Sequence, residues 1–398
     1  MFRLAQFIKE LNQPTPVGIH RDLPGPVVIW NLIRRCNLTC MHCYAISADK
    51  NFPGELTQTQ INDVMDDLKK FHVPVLILSG GEPLLHPHIF EISDRAKAMG
   101  FYVGLSTNGT LIDEHNIDEI AARDYNYVGI SIDGMRVTHD YFRRKEGAFD
   151  LSMKAVRLCK ERGIKVGLRY TITQNNATEL PDLLKLVADE GIDKFYLSHL
   201  NYAGRGNHNR MADTVHKMTR DAMDLLFETA LEEQKNGIYR EYVTGNNDAD
   251  GAYLLQWVKN RFPDKAQHIA DKLIQWGGNA SGVNVANIDN LGEVHPDTMW
   301  WHHNLGNVKD RPFSEIWSDM SDPLMKGLSE RPRAVTGRCA ECKYLNMCNG
   351  NTRVRAHQLT GDFWAEDPAC YLTDSEIGFQ NNMQERLTVL PFARRKRA

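Results

Sequence analysis

The chain has 398 residues, of which 42% are hydrophobic and 25% charged, and its formal net charge is −4 at pH 7. This length can bury a large core, and the slight negative charge argues against a general nucleic-acid binder. No apolar run approaches the roughly 20 residues that cross a bilayer, and the start lacks an export signal, so we expect a cytoplasmic protein without a membrane partner.

The first part of the chain has an alternating pattern. Residues 1–24 form an N-terminal segment whose apolar spacing predicts a short amphipathic helix. Strands are then predicted over 27–33, 75–79, 102–107, 127–132, 166–173 and 194–200, and helices over 57–71, 88–99, 112–123, 150–162 and 179–190. These six alternating units, within 25–205, predict an α/β fold with a parallel sheet that forms a partial (β/α)6, TIM-like barrel.

Small, polar and thiol-bearing residues gather where these strands end. In strand order they are a loop of three cysteines, then Gly80, Gly81 and Glu82, then Asn108, and then Ser131 and Asp133. Because ligands of such folds bind at the carboxyl ends of the strands, we expect the site there. Gly80 and Gly81 lack Cβ atoms, so their backbone can approach a ligand closely.

Cys36, Cys40 and Cys43 are the strongest chemical signal in the chain. Their spacing of four and then three residues within one loop can supply three ligands to an iron–sulfur cubane, which leaves its fourth iron open to a small molecule. A zinc site with His42 or a distant residue as its fourth ligand is the alternative. Otherwise His42 is expected to lie behind the ligands or to be exposed.

Three regions follow residue 205: a helical connecting region over 206–281, a small C-terminal domain over 282–385, and a basic tail over 386–398. The C-terminal domain contains Cys339, Cys342, Cys348 and Cys370. Four thiols close a metal site, so these predict a structural or electron-relaying centre, either iron–sulfur or zinc. Cys159 stands alone in a helical pattern and is expected to be a small buried apolar residue.

The C-x3-C-x2-C loop, the Gly-Gly-Glu-Pro turn and the partial barrel, over roughly residues 25–200, resemble the radical S-adenosylmethionine (SAM) enzymes. The resemblance implies a [4Fe-4S] cluster whose open iron is chelated by the amino and carboxylate groups of SAM. It also implies an electron donor such as flavodoxin or ferredoxin. One electron then cleaves SAM to methionine and a 5′-deoxyadenosyl radical, which abstracts hydrogen from the substrate.

The resemblance also implies which residues bind SAM. Glu82 suits the α-amino group, Ser131 and Asp133 suit the ribose hydroxyls or the carboxylate, and Arg143 is a partner for a carboxylate. Tyr44 matches an aromatic residue near the adenine. The full expected set is Tyr44, Gly80, Gly81, Glu82, Asn108, Ser131, Asp133 and Arg143.

The C-terminal region resembles the SPASM/twitch extension of radical SAM enzymes, through residues 292–296, 305–308 and 314–317. This implies an auxiliary [4Fe-4S] cluster on the four C-terminal cysteines. Full SPASM domains place a cysteine just after the Gly-x-Val-x-Pro strand, where this chain has Asp297. One auxiliary cluster is therefore expected instead of two.

Over its whole length the chain resembles the radical SAM family of heme d1 biosynthesis, including residues 1–4, 276–282 and 300–306. That family removes the two propionates of 12,18-didecarboxysiroheme, so the implied substrate is a tetrapyrrole. Candidate contacts to its iron or carboxylates are His199, Arg205, Arg169 and the Trp-Trp-His-His run over 300–303. The alternatives are a related heme-biosynthesis decarboxylase, a peptide-modifying SPASM enzyme, and a non-catalytic zinc or electron-transfer protein.

Overall fold

The computed structural model describes residues 1–17 and 25–379, so the predicted basic tail over 386–398 lies outside the described residues. This part of the chain contains ten strands. They are β1 (Val27–Asn31), β2 (Val75–Ser79), β3 (Tyr102–Thr107), β4 (Tyr127–Ser131), β5 (Val166–Ile172), β6 (Lys194–His199), β7 (Glu241–Gly245), β8 (Val285–Ile288), β9 (Glu293–His295) and β10 (Gly306–Asn307).

Sixteen α-helices accompany these strands within the described ranges. They are α1 (Leu4–Asn12), α2 (Gln58–Lys70), α3 (Ile89–Ala98), α4 (Ile117–Ala122), α5 (Arg136–Arg143), α6 (Ala148–Glu161), α7 (Leu180–Asp189), α8 (Gly204–His208), α9 (His216–Lys235), α10 (Ala249–Arg261), α11 (Ala266–Trp276), α12 (Phe313–Ser318), α13 (Pro323–Ser329), α14 (Leu345–Cys348), α15 (Arg353–Thr360) and α16 (Asp374–Ile377). Among the residues described, none of these helices has the length and apolar character that a membrane span requires.

All ten strands form one sheet in the order β10-β9-β8-β1-β2-β3-β4-β5-β6-β7. Strands β1 to β7 are parallel, each paired with the next along the chain, and β8 pairs in parallel with the other side of β1. Parallel neighbours need long crossover connections, which the intervening helices provide. The carboxyl ends of the parallel strands therefore meet at one edge, where the loops of the predicted site begin.

The six predicted strands are all present, and most of their side chains are buried, as in β2, where four of five residues are buried. The predicted helix over 57–71 is α2. It begins at Thr57, whose side chain accepts a hydrogen bond from the Gln60 N–H while the Gln60 side chain accepts one from the Thr57 N–H. This reciprocal capping box explains why the helix starts there.

Two helices differ from the prediction. The helix expected over 112–123 begins only at Ile117, because the Asn116 side chain accepts from the Asp113 N–H and donates to the Leu111 carbonyl, which stabilises a turn instead. Helix α5 was not predicted. It is only eight residues long, yet it contributes Arg143 to the site.

The sheet is wider than the sequence predicts. The region over 206–281, expected to be helical, contributes β7 beside β6, and the region over 282–385 contributes β8 beside β1. The sheet thus runs across the predicted boundaries at 205 and 281, and the division into domains stays a prediction.

The predicted N-terminal helix is α1, which buries Leu4, Phe7, Ile8 and Leu11. Just before it, the backbone of Phe2 exchanges two hydrogen bonds of 2.8 Å with Thr244 of β7. The N-terminal segment therefore covers the β7 edge of the sheet, which would otherwise present unpaired backbone groups.

Candidate functional site

The three-cysteine loop follows β1 at the carboxyl edge of the sheet. Cys36 and Cys40 are buried and Cys43 is half-buried, and the three side chains pack together around Leu38. The Cys36 N–H donates to the Ala48 carbonyl at 3.1 Å, which closes the loop. The three thiols are thus brought together as the spacing predicts, while their role as ligands stays a prediction.

Hydrogen-bond donors point at the Cys36 sulfur. The Leu38 N–H lies 3.4 Å from Cys36 Sγ, and Asn108 Nδ2, from the loop after β3, lies 3.8 Å from it. Burial raises the pKa of Cys36 to about 12, so without a metal this thiol is protonated at neutral pH. A metal that binds there must displace the proton, and the two N–H groups then stabilise the thiolate.

The other two sulfurs of the loop have donors as well. Arg143 Nη1 lies 3.5 Å from Cys40 Sγ, and the Ser47 N–H lies 3.5 Å from Cys43 Sγ. Burial also raises the pKa of Cys40. Three sulfurs from one loop, each with an N–H donor, fit the ligand set of a [4Fe-4S] cluster that leaves one iron without a protein ligand.

Arg205 fixes the cysteine loop from outside. Its Nε donates to the Cys40 carbonyl at 2.7 Å and its Nη1 to the Ser47 carbonyl at 3.0 Å. Gly204 beside it has φ +53°, and a Cβ there would lie 2.6 Å from the Cys43 carbonyl oxygen, so only glycine fits. These carbonyls engage Nε and Nη1 of the guanidinium, while Nη2 has no hydrogen-bond partner among the described residues, and the expectation that Arg205 binds a substrate carboxylate stays a prediction.

Gly80 and Gly81 bring the turn after β2 against the same loop. The Gly81 N–H donates to the Ile33 carbonyl at 2.6 Å, and a Cβ on Gly80 would lie 2.6 Å from that oxygen. A Cβ on Gly81 would overlap the carbonyl groups of Arg34 and Arg35. The close approach that these glycines allow is thus between two protein segments, and a contact with SAM stays a prediction.

The Glu82 carboxylate lies fully buried behind the turn. It accepts hydrogen bonds from Thr107 Oγ1 at 2.7 Å, from the Asn108 N–H at 2.8 Å and from the Leu84 N–H at 3.2 Å. Burial outweighs these bonds and raises its pKa to about 7. An ammonium group bound beside it would favour the ionised carboxylate, which is compatible with the predicted contact to the amino group of SAM.

Asp133 and Arg143 were both expected to bind SAM, but the structure pairs them with each other in a buried ion pair. Asp133 Oδ1 also accepts from the Thr171 N–H at 2.8 Å. Burial alone would raise the pKa of Asp133, yet the guanidinium of Arg143 holds that pKa below its ordinary value. Both side chains are buried and bound to each other, and their expected contacts with SAM stay predictions.

The remaining expected SAM contacts keep the status of predictions. The Tyr44 hydroxyl accepts from Asn31 Nδ2 at 2.8 Å, and its ring lies edge-on to Trp301 at 5.8 Å. Ser131 lies half-buried at the end of β4, opposite Arg169 of β5. Asn108 lies at the site, but its amide is aimed at the Cys36 sulfur.

His42, within the cysteine loop, is half-buried. Its ring stacks on Phe142 with centroids 4.7 Å apart, and its Nε2 is 3.9 Å from Asp133 Oδ2. Burial lowers the pKa of His42 to about 4, so the ring is neutral near pH 7. His42 Nδ1 has no hydrogen-bond partner among the described residues, so its role as a fourth ligand of a zinc site stays an alternative.

The other residues expected to bind substrate differ in their burial and in their partners. His199 is buried and its Nε2 lies 3.0 Å from Asp250 Oδ2, and a contact to substrate iron stays a prediction. Arg169 bonds to Ser106 and stacks over Tyr196 at 5.5 Å. Within residues 300–303 the first tryptophan is buried, the second lies near Tyr44, and the two histidines are partly or largely exposed.

The four C-terminal cysteines line a single small cavity. They share its wall with Ala249, Arg338, Tyr344, Leu345 and neighbouring residues. Burial raises the pKa of Cys370 to about 12 and raises that of Cys348 as well. Four thiols around one enclosed space fit a closed metal site. Cys159 is fully buried in the hydrophobic core, as predicted.

Sequence reasoning missed a small amide network around Cys36. Asn37 Nδ2 donates to Thr110 Oγ1 at 2.8 Å, and Asn108 Nδ2 donates to Asn37 Oδ1 at 2.9 Å. Thr110 returns two hydrogen bonds to Asn108 Oδ1. The signal was available, since Asn37 adjoins the first cysteine and Thr110 adjoins the polar end of β3.

The chain matches the model of the Radical SAM superfamily over residues 30–187. The fold and the cysteine loop are those of a radical SAM enzyme, and the chain belongs to this superfamily. It is 55% identical to the pre-heme d1 synthase of Dinoroseobacter shibae over 98% of this chain and 97% of that protein. It is 43% identical to the Fe-coproporphyrin III synthase of Methanosarcina barkeri over 89% of this chain and 90% of that protein.

Solved structures share the fold at low identity. SuiB of Streptococcus suis bound to S-adenosylmethionine aligns with a TM-score of 0.68 and 16% identity, over 92% of this chain and 81% of SuiB. Native anSMEcpe with bound AdoMet and Cp18Cys peptide aligns with a TM-score of 0.63 and 20% identity, over 86% of this chain and 92% of that one. The predicted fold class, a partial barrel with a C-terminal extension, is confirmed. The superfamily implies a [4Fe-4S] cluster and SAM as cofactors.

Proposed function

We propose that this chain is a radical SAM enzyme of heme d1 biosynthesis that removes the two propionate side chains of 12,18-didecarboxysiroheme. The observation that carries the proposal is the 55% identity to a pre-heme d1 synthase over nearly the whole of both chains. The aligned region, 98% of this chain, spans both the cysteine loop and the C-terminal cysteines.

The chain's own residues have separable tasks in this proposal. Cys36, Cys40 and Cys43 hold the [4Fe-4S] cluster, which with bound SAM supplies a 5′-deoxyadenosyl radical that abstracts hydrogen from a propionate carbon. Asn108 and Arg143 donate hydrogen bonds to the sulfurs and stabilise their negative charge. The buried Glu82 accepts the ammonium group of SAM.

We also propose that Cys339, Cys342, Cys348 and Cys370 would hold one auxiliary [4Fe-4S] cluster, which when bound would supply an electron acceptor for the reaction. The enclosed four-thiol cavity supports this assignment. Zinc is the alternative occupant, since four thiolates also suit zinc. Analysis of iron, sulfide and zinc distinguishes them: about eight irons per chain support two cubanes, whereas about four irons with one zinc leave the second site to zinc.

A second tetrapyrrole reaction is the competing function. The chain is 43% identical to an Fe-coproporphyrin III synthase, which favours a related reaction on a heme precursor. Peptide modification has weaker support, from a mycofactocin maturase of Mycobacterium tuberculosis at 29% identity. The three hypotheses differ in the substrate that is consumed.

Turnover assays decide among them. Anaerobically reconstituted, reduced protein is incubated with SAM and 12,18-didecarboxysiroheme, and the pigment and 5′-deoxyadenosine are followed by mass spectrometry. We expect loss of propionate mass together with 5′-deoxyadenosine. An unchanged pigment, alongside conversion of another heme precursor, would overturn the assignment. Cys40→Ala should abolish both products, and Cys159→Ala, which removes a buried core thiol that belongs to neither cysteine group, serves as the matched control.

A further inference from the structure

A second group of candidate metal ligands lies on the β8–β9 hairpin. Asn287 pairs with His295 and Ile288 with Val294, so the hairpin turn follows directly after Asp289. Alternation along each strand places Asp289, Glu293 and His295 on one face. One potential ligand atom from each of the three lies within 4.8 Å of the others.

His295 has the tautomer of a metal ligand. Its Nδ1 lies 2.8 Å from the carbonyl oxygen of His303, and because a carbonyl only accepts, Nδ1 must carry the proton. In the neutral ring, Nε2 is then a bare lone pair. The side chain is fully buried, and Nε2 has no hydrogen-bond partner among the described residues. Histidines that bind a metal through Nε2 commonly donate their Nδ1–H to a backbone carbonyl, which fixes the tautomer and the ring orientation.

The carboxylate atoms opposite His295 Nε2 are hydrogen-bond acceptors too. Asp289 Oδ2 lies 3.7 Å from it, while Asp289 Oδ1 is occupied by the N–H groups of Leu291 and Glu293, both at 2.9 Å. No lysine or arginine within residues 1–17 and 25–379 forms an ion pair with either carboxylate of the trio. Two carboxylates and an imidazole lone pair therefore face each other without a protein cation, and Glu293 is partly exposed, which leaves a path from solvent.

We propose that Asp289, Glu293 and His295 bind a divalent transition-metal ion, separate from both cysteine sites. One imidazole and two carboxylates suit Mn²⁺, Fe²⁺ or Zn²⁺ and supply two negative charges that balance the ion. Three protein ligands leave room for water. The ion fixes the hairpin beside Trp301, on which the His295 ring stacks at 6.2 Å and 17°, and Trp301 in turn contacts Tyr44 after the cysteine loop.

Mn²⁺ is the probe for the test, because the signal of the free ion disappears on binding. The reconstituted full-length protein, with its clusters oxidised and with neither SAM nor tetrapyrrole, is titrated with Mn²⁺ by electron paramagnetic resonance. We expect one bound Mn²⁺ per chain that shows a nitrogen coupling from an imidazole in pulsed measurements. The result is independent of the reaction proposed above.

Two variants assign the site. His295→Asn keeps an N–H donor for the His303 carbonyl but removes Nε2, and Glu293→Gln keeps the shape but removes a charged ligand. Each should weaken Mn²⁺ binding at least about tenfold, and His295→Asn should abolish the nitrogen coupling. Glu114→Gln, an exposed carboxylate paired with Lys154, should change neither. Wild-type protein without bound Mn²⁺, or variants that bind it equally well, would overturn the proposal in favour of a protonated His295 that bridges to Asp289.

Discussion

Arg143 forms a buried ion pair with Asp133 while its Nη1 lies 3.5 Å from the Cys40 sulfur. One guanidinium thus links the end of β4 to the cysteine loop. The carboxylate and the sulfur, once metal-bound, both carry negative charge, so the guanidinium stabilises two anions in the wall behind the cluster site.

Replacing Arg143 should therefore destabilise the fold. Arg143→Met leaves the buried Asp133 carboxylate without its partner, and we expect a loss of about 3–5 kcal/mol in the free energy of unfolding. The double variant with Asp133→Asn removes the orphaned charge and should recover more than about 1 kcal/mol of that loss. Urea unfolding under anaerobic conditions measures both.

The control is an ion pair of a cation and a carboxylate at the surface. Lys185 and Asp189 lie four residues apart on α7 with side chains 73% and 60% exposed, so Lys185→Met should cost less than about 0.5 kcal/mol. A similar loss for Lys185→Met and Arg143→Met, or a double variant no more stable than Arg143→Met, would contradict the role of the buried pair.

Asn108 should tune the reduction potential of the first cluster. Its Nδ2 is a donor to Cys36 Sγ, and hydrogen bonds to cluster sulfurs favour the more negative, reduced state. Asn108→Leu should lower the potential by about 50 mV, which corresponds to about 1 kcal/mol for a one-electron couple. Redox titration monitored by electron paramagnetic resonance gives the value. Thr110→Val, which alters the same amide network without touching sulfur, should leave the potential nearly unchanged.

The strands were predictable because each is a local run of apolar residues buried on both faces. The residues after Asn31 and Ser79 were predictable as site residues for a related reason, since parallel strands bring their carboxyl ends to one edge. The grouping of Cys36, Cys40 and Cys43 followed from their spacing within one loop.

The sequence could not predict long-range pairing of side chains. The partner of His199 is Asp250, 51 residues away, and Arg205 bonds to a carbonyl 165 residues before it. Residue type gives the capacity of such side chains to bind a ligand, but only the fold decides whether protein atoms already satisfy them. β7 was missed because a short edge strand between helices carries a weak local signal.

Gly81 should be essential for the cysteine loop. In Gly81→Ala the new methyl group meets the backbone carbonyls of Arg34 and Arg35, which cannot move without displacing the loop. We expect the anaerobically reconstituted variant to contain about half of the wild-type iron, because one of its two cubanes is missing. It should also no longer cleave SAM. Gly167→Ala is the matched control, since a Cβ there meets only the Lys194 side chain at 3.6 Å or more. Full iron content in Gly81→Ala would show that the loop tolerates the methyl group.

His139 should make stability depend on pH. Burial and the nearby Arg143 lower its pKa to about 4, and its neutral Nδ1 accepts a hydrogen bond of 3.0 Å from the Asp133 N–H. The folded-state pKa lies below the ordinary value of about 6.5, so the unfolded chain binds the extra proton first as pH falls from 6.5 towards 4. Between pH 7.5 and 5.5 this group alone should lower the free energy of unfolding by about 1.3 kcal/mol.

The variant that isolates this effect is His139→Asn, because its side-chain oxygen keeps an acceptor near the position of Nδ1 but does not titrate. Other buried histidines, such as His42 and His86, have lowered pKa values as well and contribute to both proteins alike. The difference in pH dependence between wild type and variant therefore reports His139. Urea unfolding at pH 7.5 and 5.5 should show a smaller loss for the variant by about 1.3 kcal/mol. Equal losses would mean that His139 does not remain neutral in the folded protein at pH 5.5.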